Sequence, residues 1–182
     1  MKYFFIVLSL LFLVYLLWPA PASVNNFPAL PNSLKSVEPG DTYQVPNVAA
    51  YYSDNYRRVV MPFYQQQFEK LTNLPFPPLR INYPPEQAYT LVKDQTRSTY
   101  LEELVYPLRD SVFVNGYEPF YEDGQPIVPG MTQMVINNKV YNTKVTLKYY
   151  PSPLWTRFLT WMGVNVSVVL LWQLSRKFLR HA

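Results

Sequence analysis

No cysteine occurs among the 182 residues, there is one histidine, and charged residues make up only 15% of the chain. The missing cysteines exclude disulfides, thiolate nucleophiles, iron–sulfur clusters and cysteine-ligated zinc in one step. The single histidine is His181, next to the last residue, and a fraying basic tail is a poor support for a general base or a metal ligand. There is no D-x-D-x-D-G calcium loop, no phosphate-cradling glycine run and no G-x-S-x-G elbow. The expectation is therefore a chain with no metal, no cofactor and no catalytic set; serine hydrolysis lacks its histidine, and elimination leaves serine–lysine chemistry formally open.

A basic surface is missing as well, although the formal charge of +4 points towards nucleic acid at first sight. Between Pro19 and Pro153 eleven Lys and Arg stand against all 12 Asp and Glu, a net of −1. The remaining basic residues, Lys2, Arg157, Arg176, Lys177 and Arg180, flank two apolar segments. The basic excess belongs to those segments, so a membrane partner is expected and a nucleic-acid partner is not.

What is present begins with "MKYFFIVLSLLFLVYLLWPAPAS", in which every residue from Tyr3 to Trp18 except Ser9 is apolar. As a helix this run rises about 24 Å, short of the roughly 30 Å of bilayer hydrocarbon and just beyond the core of an ordinary signal peptide. The small residues Ala20 and Ala22 ahead of Ser23 offer a cleavage site, so residues 1–22 read either as a signal peptide or as an uncut anchor. Near the other end, residues 154–174 are apolar, with Trp155, Trp161 and Trp172 towards the ends and a basic tail at 175–182. That is the pattern of a transmembrane helix with aromatic belts and a cytoplasmic stop signal, and Arg157 is expected to snorkel to the interface. Positive-inside reasoning places the domain between the two segments on the extracytoplasmic side of a plasma (cytoplasmic) membrane, with the C-terminus in the cytoplasm.

All 18 prolines fall between Pro19 and Pro153. Residues 23–46 read as a proline-rich, extended linker, and residues 47–151 as the folded domain. Tyr56, Val59, Val60, Phe63, Tyr64, Phe68 and Leu71 recur at helical steps, predicting a helix to about Thr72, capped by Ser53 or Asp54 and interrupted or begun by Pro62. A short strand from Leu79 to Tyr83 and a short helix to about Asp94 follow. Beyond Ser98 the stretches "STYLEELVY", "DSVFVNGYEPF", "TQMVI" and "KVYNTKVTLKYY" read as strands, the last two joined by an Asn137-Asn138 hairpin turn. In the last strand Lys144, Thr146 and Lys148 mark a wetter face. The fold class is α+β, a small domain with early helices and a mostly antiparallel sheet, flanked by the two membrane segments.

The most site-like loops are Asn115-Gly116 and Glu122-Asp123-Gly124, and the second with Tyr117 and Tyr121 makes a candidate ligand surface of carboxylates and aromatic rings. Glu102 and Glu103 are adjacent on a strand and point to opposite faces, so they share no substrate. On the second apolar segment Thr160, Gly163 and Ser167 form a stripe of small residues suited to packing against another helix, with Asn165 nearly opposite. In layout alone, a domain between two terminal membrane helices is similar to the membrane-anchored sortases, whose catalytic cysteine this chain lacks. It is also similar to the polysaccharide chain-length regulators, whose second membrane helix follows a proline-rich segment, here "YYPSPLW". The expected function is a non-enzymatic, membrane-tethered interaction or assembly module of a bacterial cell envelope, with a membrane protein or a second copy as partner. The alternative is an envelope carbohydrate-binding factor or enzyme that uses the acidic loop and the tyrosines.

Overall fold

The computed structural model describes residues 2–93, 97–127 and 130–181, without the side chains of Lys2 and residues 179–181. Asp94, where the short helix was expected to end, and the side chains of Arg180 and His181 in the basic tail lie outside the described residues. The chain forms two compact units, one from residues 20–151 and one from the two ends, 1–19 and 152–182.

The larger unit is α+β, built on a six-stranded antiparallel sheet. Its strands are β1 (Leu34–Lys35), β2 (Val48–Ser53), β3 (Leu79–Tyr83), β4 (Tyr100–Val105), β5 (Ser111–Tyr117) and β8 (Thr143–Tyr150), in the spatial order β1-β2-β8-β5-β4-β3. A separate hairpin pairs β6 (Met134–Ile136) with β7 (Lys139–Tyr141). Its turn is Asn137-Asn138, both with positive φ, 51° and 61°, as expected for a two-residue turn whose twist matches its strands. The run after Asn138 is not one strand: it breaks at Asn142, whose N–H donates to Asp54 Oδ1 at 3.1 Å, and the two halves serve different sheets.

Helix α2 (Arg57–Thr72) lies on one face of the sheet. Val60, Tyr64 and Phe68, one turn apart, are fully buried and pack with Tyr100, Leu104, Val112, Val114 and Leu147. Pro62 is inside this helix and removes only the N–H that would have met the Arg58 carbonyl, so the helix continues through it. Neither expected cap is used. Ser53 closes β2, its hydroxyl 2.9 Å from that of Thr143, and the helix begins after Tyr56 with no side-chain cap of its own. The helix ends at Asn73, whose left-handed conformation lets its N–H reach the Glu69 carbonyl at 2.7 Å.

The opposite face carries a smaller cluster of Leu101 and Phe113 with Ala88 and Val92, from and beside the single turn α3 (Ala88–Leu91). Residues 23–46 do not form an extended spacer. Val24, Phe27 and Leu30, spaced by three, are buried in the main core, with the Phe27 ring 5.8 Å from Phe68 and 5.5 Å from Tyr149. Ser23 and Asn26 close a capping box around the 3-10 turn Val24–Asn26.

The same segment corrects the wetter face of the last strand, because Lys144 and Lys148 are buried. Lys144 Nζ sits 3.0 Å from Asp41 Oδ2, and Lys148 Nζ donates to the Pro46 carbonyl. Partners from the stretch between Ser36 and Pro46 allow these ammonium groups to be covered.

The smaller unit is a pair of helices, α1 (Lys2–Leu17) and α4 (Leu154–His181). Within α4, Leu154–Phe178 is long and apolar enough to cross a membrane, and it is the one such helix among the described residues. The two helices run antiparallel, since Ser9 meets Asn165 and Leu16 meets Arg157.

Candidate functional site

After β5 the chain turns back on itself between Glu118 and Ile127. The Ile127 N–H reaches the Pro119 carbonyl at 3.0 Å, and Phe120 bridges Pro126. At the tip Gly124 takes φ +83°, a conformation that side-chain-bearing residues rarely adopt. This loop, the start of α2 and Arg80 of β3 enclose an open cleft of about 430 Å³.

The two acids of the loop do not converge. Glu122 lines the cleft and pairs with Arg58 at 2.7 Å, both side chains largely exposed. Asp123 accepts the Gln125 N–H at 3.0 Å and so stabilises its own turn. Tyr121 lines the cleft and its carbonyl accepts from the Tyr56 hydroxyl at 3.4 Å. Tyr117 is buried at the end of β5, donating to the Thr132 carbonyl at 3.4 Å, and contributes nothing to the cleft surface. Of the four expected residues the fold therefore brings Tyr121 and Glu122 together and separates Asp123 and Tyr117 from them.

The inner wall was not foreseen. Glu118, just past β5, accepts the backbone N–H of Arg57 and so supplies the cap that the N-terminus of α2 lacks. Burial raises the Glu118 carboxyl to about 6. The Arg57 N–H and guanidinium oppose that rise, and the nearby Glu122 charge adds to it. Behind it Glu102, buried in the middle of β4, accepts from Arg57 Nε at 2.5 Å, from Arg80 Nη2 at 2.8 Å and from Arg80 Nε. Burial alone would push the Glu102 carboxyl up. The hydrogen bonds and charges of Arg80 and Arg57 outweigh it and hold the group below its ordinary value.

The Arg57 guanidinium also sits 5.3 Å from the centroid of the Tyr100 ring. That ring lies on Gly116, where an added Cβ would come within 1.9 Å of Cε1. The Tyr100 hydroxyl is buried and has no hydrogen-bond partner among the described residues. Glu102, on the strand face shared with Tyr100 and Leu104, was the sequence signal for this cluster, but its two arginines lie 45 and 22 residues away.

Glu103 points to the other face, as expected, and accepts from the Tyr83 hydroxyl at 2.7 Å. Ser36 and Lys144 share the Asp41 carboxylate at 2.6 and 3.0 Å. Ser36 is 1% exposed and Lys144 5%, so no substrate reaches them and the group is structural.

A second polar cluster joins the terminal helices. The Ser9 hydroxyl donates to Asn165 Oδ1 at 2.7 Å, Trp161 Nε1 donates to the Ser9 carbonyl at 2.9 Å, and Asn165 Nδ2 donates to the Trp161 carbonyl at 2.8 Å. Arg157 was expected to reach for a membrane interface, and what the structure shows is its partners within the helix pair. It is buried, and its Nη1 reaches the carbonyls of Leu16 and Trp18 at 3.2 and 3.3 Å, closing the C-terminal end of α1. The helix contact thus uses the Asn165 side of α4. Gly163 and Ser167 face away from it, both exposed, and Thr160 is half-buried with its hydroxyl bonded to the Thr156 carbonyl at 2.9 Å.

Compared with protein-family models, with curated proteins and with solved structures, the chain matches none of them.

Proposed function

We propose that this protein is a membrane-tethered interaction or assembly module of a cell envelope, held by both terminal helices, with its α+β domain outside the cytoplasmic membrane and its C-terminus in the cytoplasm. The observation that carries the reading is the polar interlock of Ser9, Trp161 and Asn165 with the Arg157 clamp. In hydrocarbon a polar side chain or an end-of-helix carbonyl must find its partner in protein. Cutting α1 away at Ala22 would take from Asn165 Oδ1, the Trp161 indole N–H and Arg157 Nη1 the α1-side groups they now meet. Such an arrangement supports an anchor that is kept. Lys2 at the start of α1 and the basic residues that end α4 support a shared cytoplasmic side for the two termini.

N-terminal sequencing of protein extracted from membranes tests the anchor directly. The intact N-terminus is expected, and Ser23 as the first residue would overturn it.

A second reading, an envelope carbohydrate-binding factor or hydrolase, is favoured by one observation: Tyr56, Phe120 and Tyr121 line the same cleft as Glu118 and Glu122. Replacing Glu118 and Glu122 together by glutamine separates the two. The interaction module keeps its function with folding intact, and the carbohydrate factor loses it.

A further inference from the structure

β3 is the last strand of the sheet on its side, and its residues are open to solvent, with Leu79 56% and Ile81 39% exposed. Proteins blunt such edges with lysine, proline, bulges or very short strands. The opposite edge, β1, follows that rule with two residues, one of them Lys35. β3 does not. Pro77, Pro78, Pro84 and Pro85 bracket it, but none lies within Leu79–Tyr83, so five consecutive residues retain their N–H groups. Its one charge, Arg80, is turned to Glu102, a carboxylate it shares with Arg57.

We infer that β3 joins two copies of this chain, pairing antiparallel with itself about a two-fold axis at Ile81. In that register Leu79 stands opposite Tyr83 of the second copy, Ile81 opposite Ile81, and Arg80 opposite Asn82. Opposed residues share a face of the sheet. One face is therefore an unbroken apolar ladder continuous with the Tyr83 and Phe113 contact, and the other pairs a guanidinium with an amide, never with its own kind.

Other registers are worse for stated reasons. Moving the axis to Arg80 sets two guanidinium groups opposite each other. Moving it to Asn82 sets Pro84 and Pro85 opposite Arg80 and Leu79, where a donor is lost. A half-step opposes polar residues to apolar ones along the whole strand. A contact of five residue pairs is smaller than the roughly 1,200 Å² of a stable soluble interface. For its strength the inference rests on the tethering proposed above, which holds copies at high local concentration in one membrane.

The chain has no cysteine, so introduced thiols report without background. Full-length Ile81→Cys in membranes, treated with a short bismaleimide, is expected to give a band of twice the chain mass. Val37→Cys, 87% exposed and outside β3, is expected to give none. Leu79→Cys alone should also fail, since the two copies of residue 79 lie about 13 Å apart in this register. A mixture of Leu79→Cys and Tyr83→Cys chains should crosslink. The inference is overturned if Ile81→Cys yields an adduct of another mass or no more dimer than Val37→Cys, or if Leu79→Cys alone crosslinks as well as the mixture. Fractionation of the same Ile81→Cys cells reads the tethering separately. A soluble chain that still crosslinks at Ile81 sinks the tether and keeps the edge contact, and a membrane-bound chain that does not crosslink does the reverse.

Discussion

Gly116 and Tyr100 show how little latitude the core beside the cleft has. A methyl group at residue 116 would overlap the Tyr100 ring, whose neighbours Arg57 and Glu102 are themselves held by ionic hydrogen bonds. Gly116→Ala is expected to destabilise the detergent-solubilised chain by about 2 kcal/mol, the usual scale of overpacking, read as a lowered denaturation midpoint. Tyr100→Phe should do the opposite, by up to about 1 kcal/mol, because it removes a buried hydroxyl with no partner among the described residues. Glu118 predicts a pH dependence with a definite sign. Its folded carboxyl is raised to about 6 from an ordinary 4.5, so between those values the folded state binds a proton that the unfolded state has released. Stability from this group is greatest below 4.5 and falls as pH rises through 6. Glu118→Gln should flatten that part of the stability profile, and an unchanged slope in equilibrium unfolding between pH 4.5 and 6 would contradict the assignment.

The elements divide into those whose pattern is local and those defined by distant partners. α2 was legible because Val60, Tyr64 and Phe68 repeat at the helical period, and the β6–β7 turn because Asn137-Asn138 tolerates positive φ. β2 was not, because "VAAYYS" is buried on both faces and so lacks the alternation of a half-exposed strand. The segment before it read as linker because its four prolines outweighed the three-residue spacing of Val24, Phe27 and Leu30. Missing that segment also hid the partners that let Lys144 and Lys148 be buried. The cleft was half-legible for a related reason. The Tyr121–Glu122 tip is one continuous loop, whereas Arg57, Arg80 and Glu102 meet only through the pairing of β3 with β4 and the docking of α2. At this scale the contact of α1 with α4 is directly testable. Ser9→Cys with Asn165→Cys should be joined within one chain by a short bismaleimide, since the native side chains meet at 2.7 Å. Asn165→Ala should weaken the helix pair by about 0.6 kcal/mol, the average for such bonds in membranes. Absence of that crosslink would mean that the helices do not pair through this face.

For the whole molecule the distribution of charge and of apolar length leads to one arrangement. The basic excess lies at the two ends, the spanning length lies in Leu154–Phe178, and the residues between carry a near-balanced charge on a domain with its own core. The topology proposed above sets such a domain outside the membrane with both ends anchored, where the β3 edge is open to a second copy. The most direct test of that arrangement labels single cysteines with a membrane-impermeant maleimide in intact cells. Val37→Cys, exposed in the domain, is expected to react from outside, and Ser175→Cys, near the end of α4, only after lysis. Labelling of Ser175→Cys in intact cells, or protection of Val37→Cys until lysis, would contradict the account.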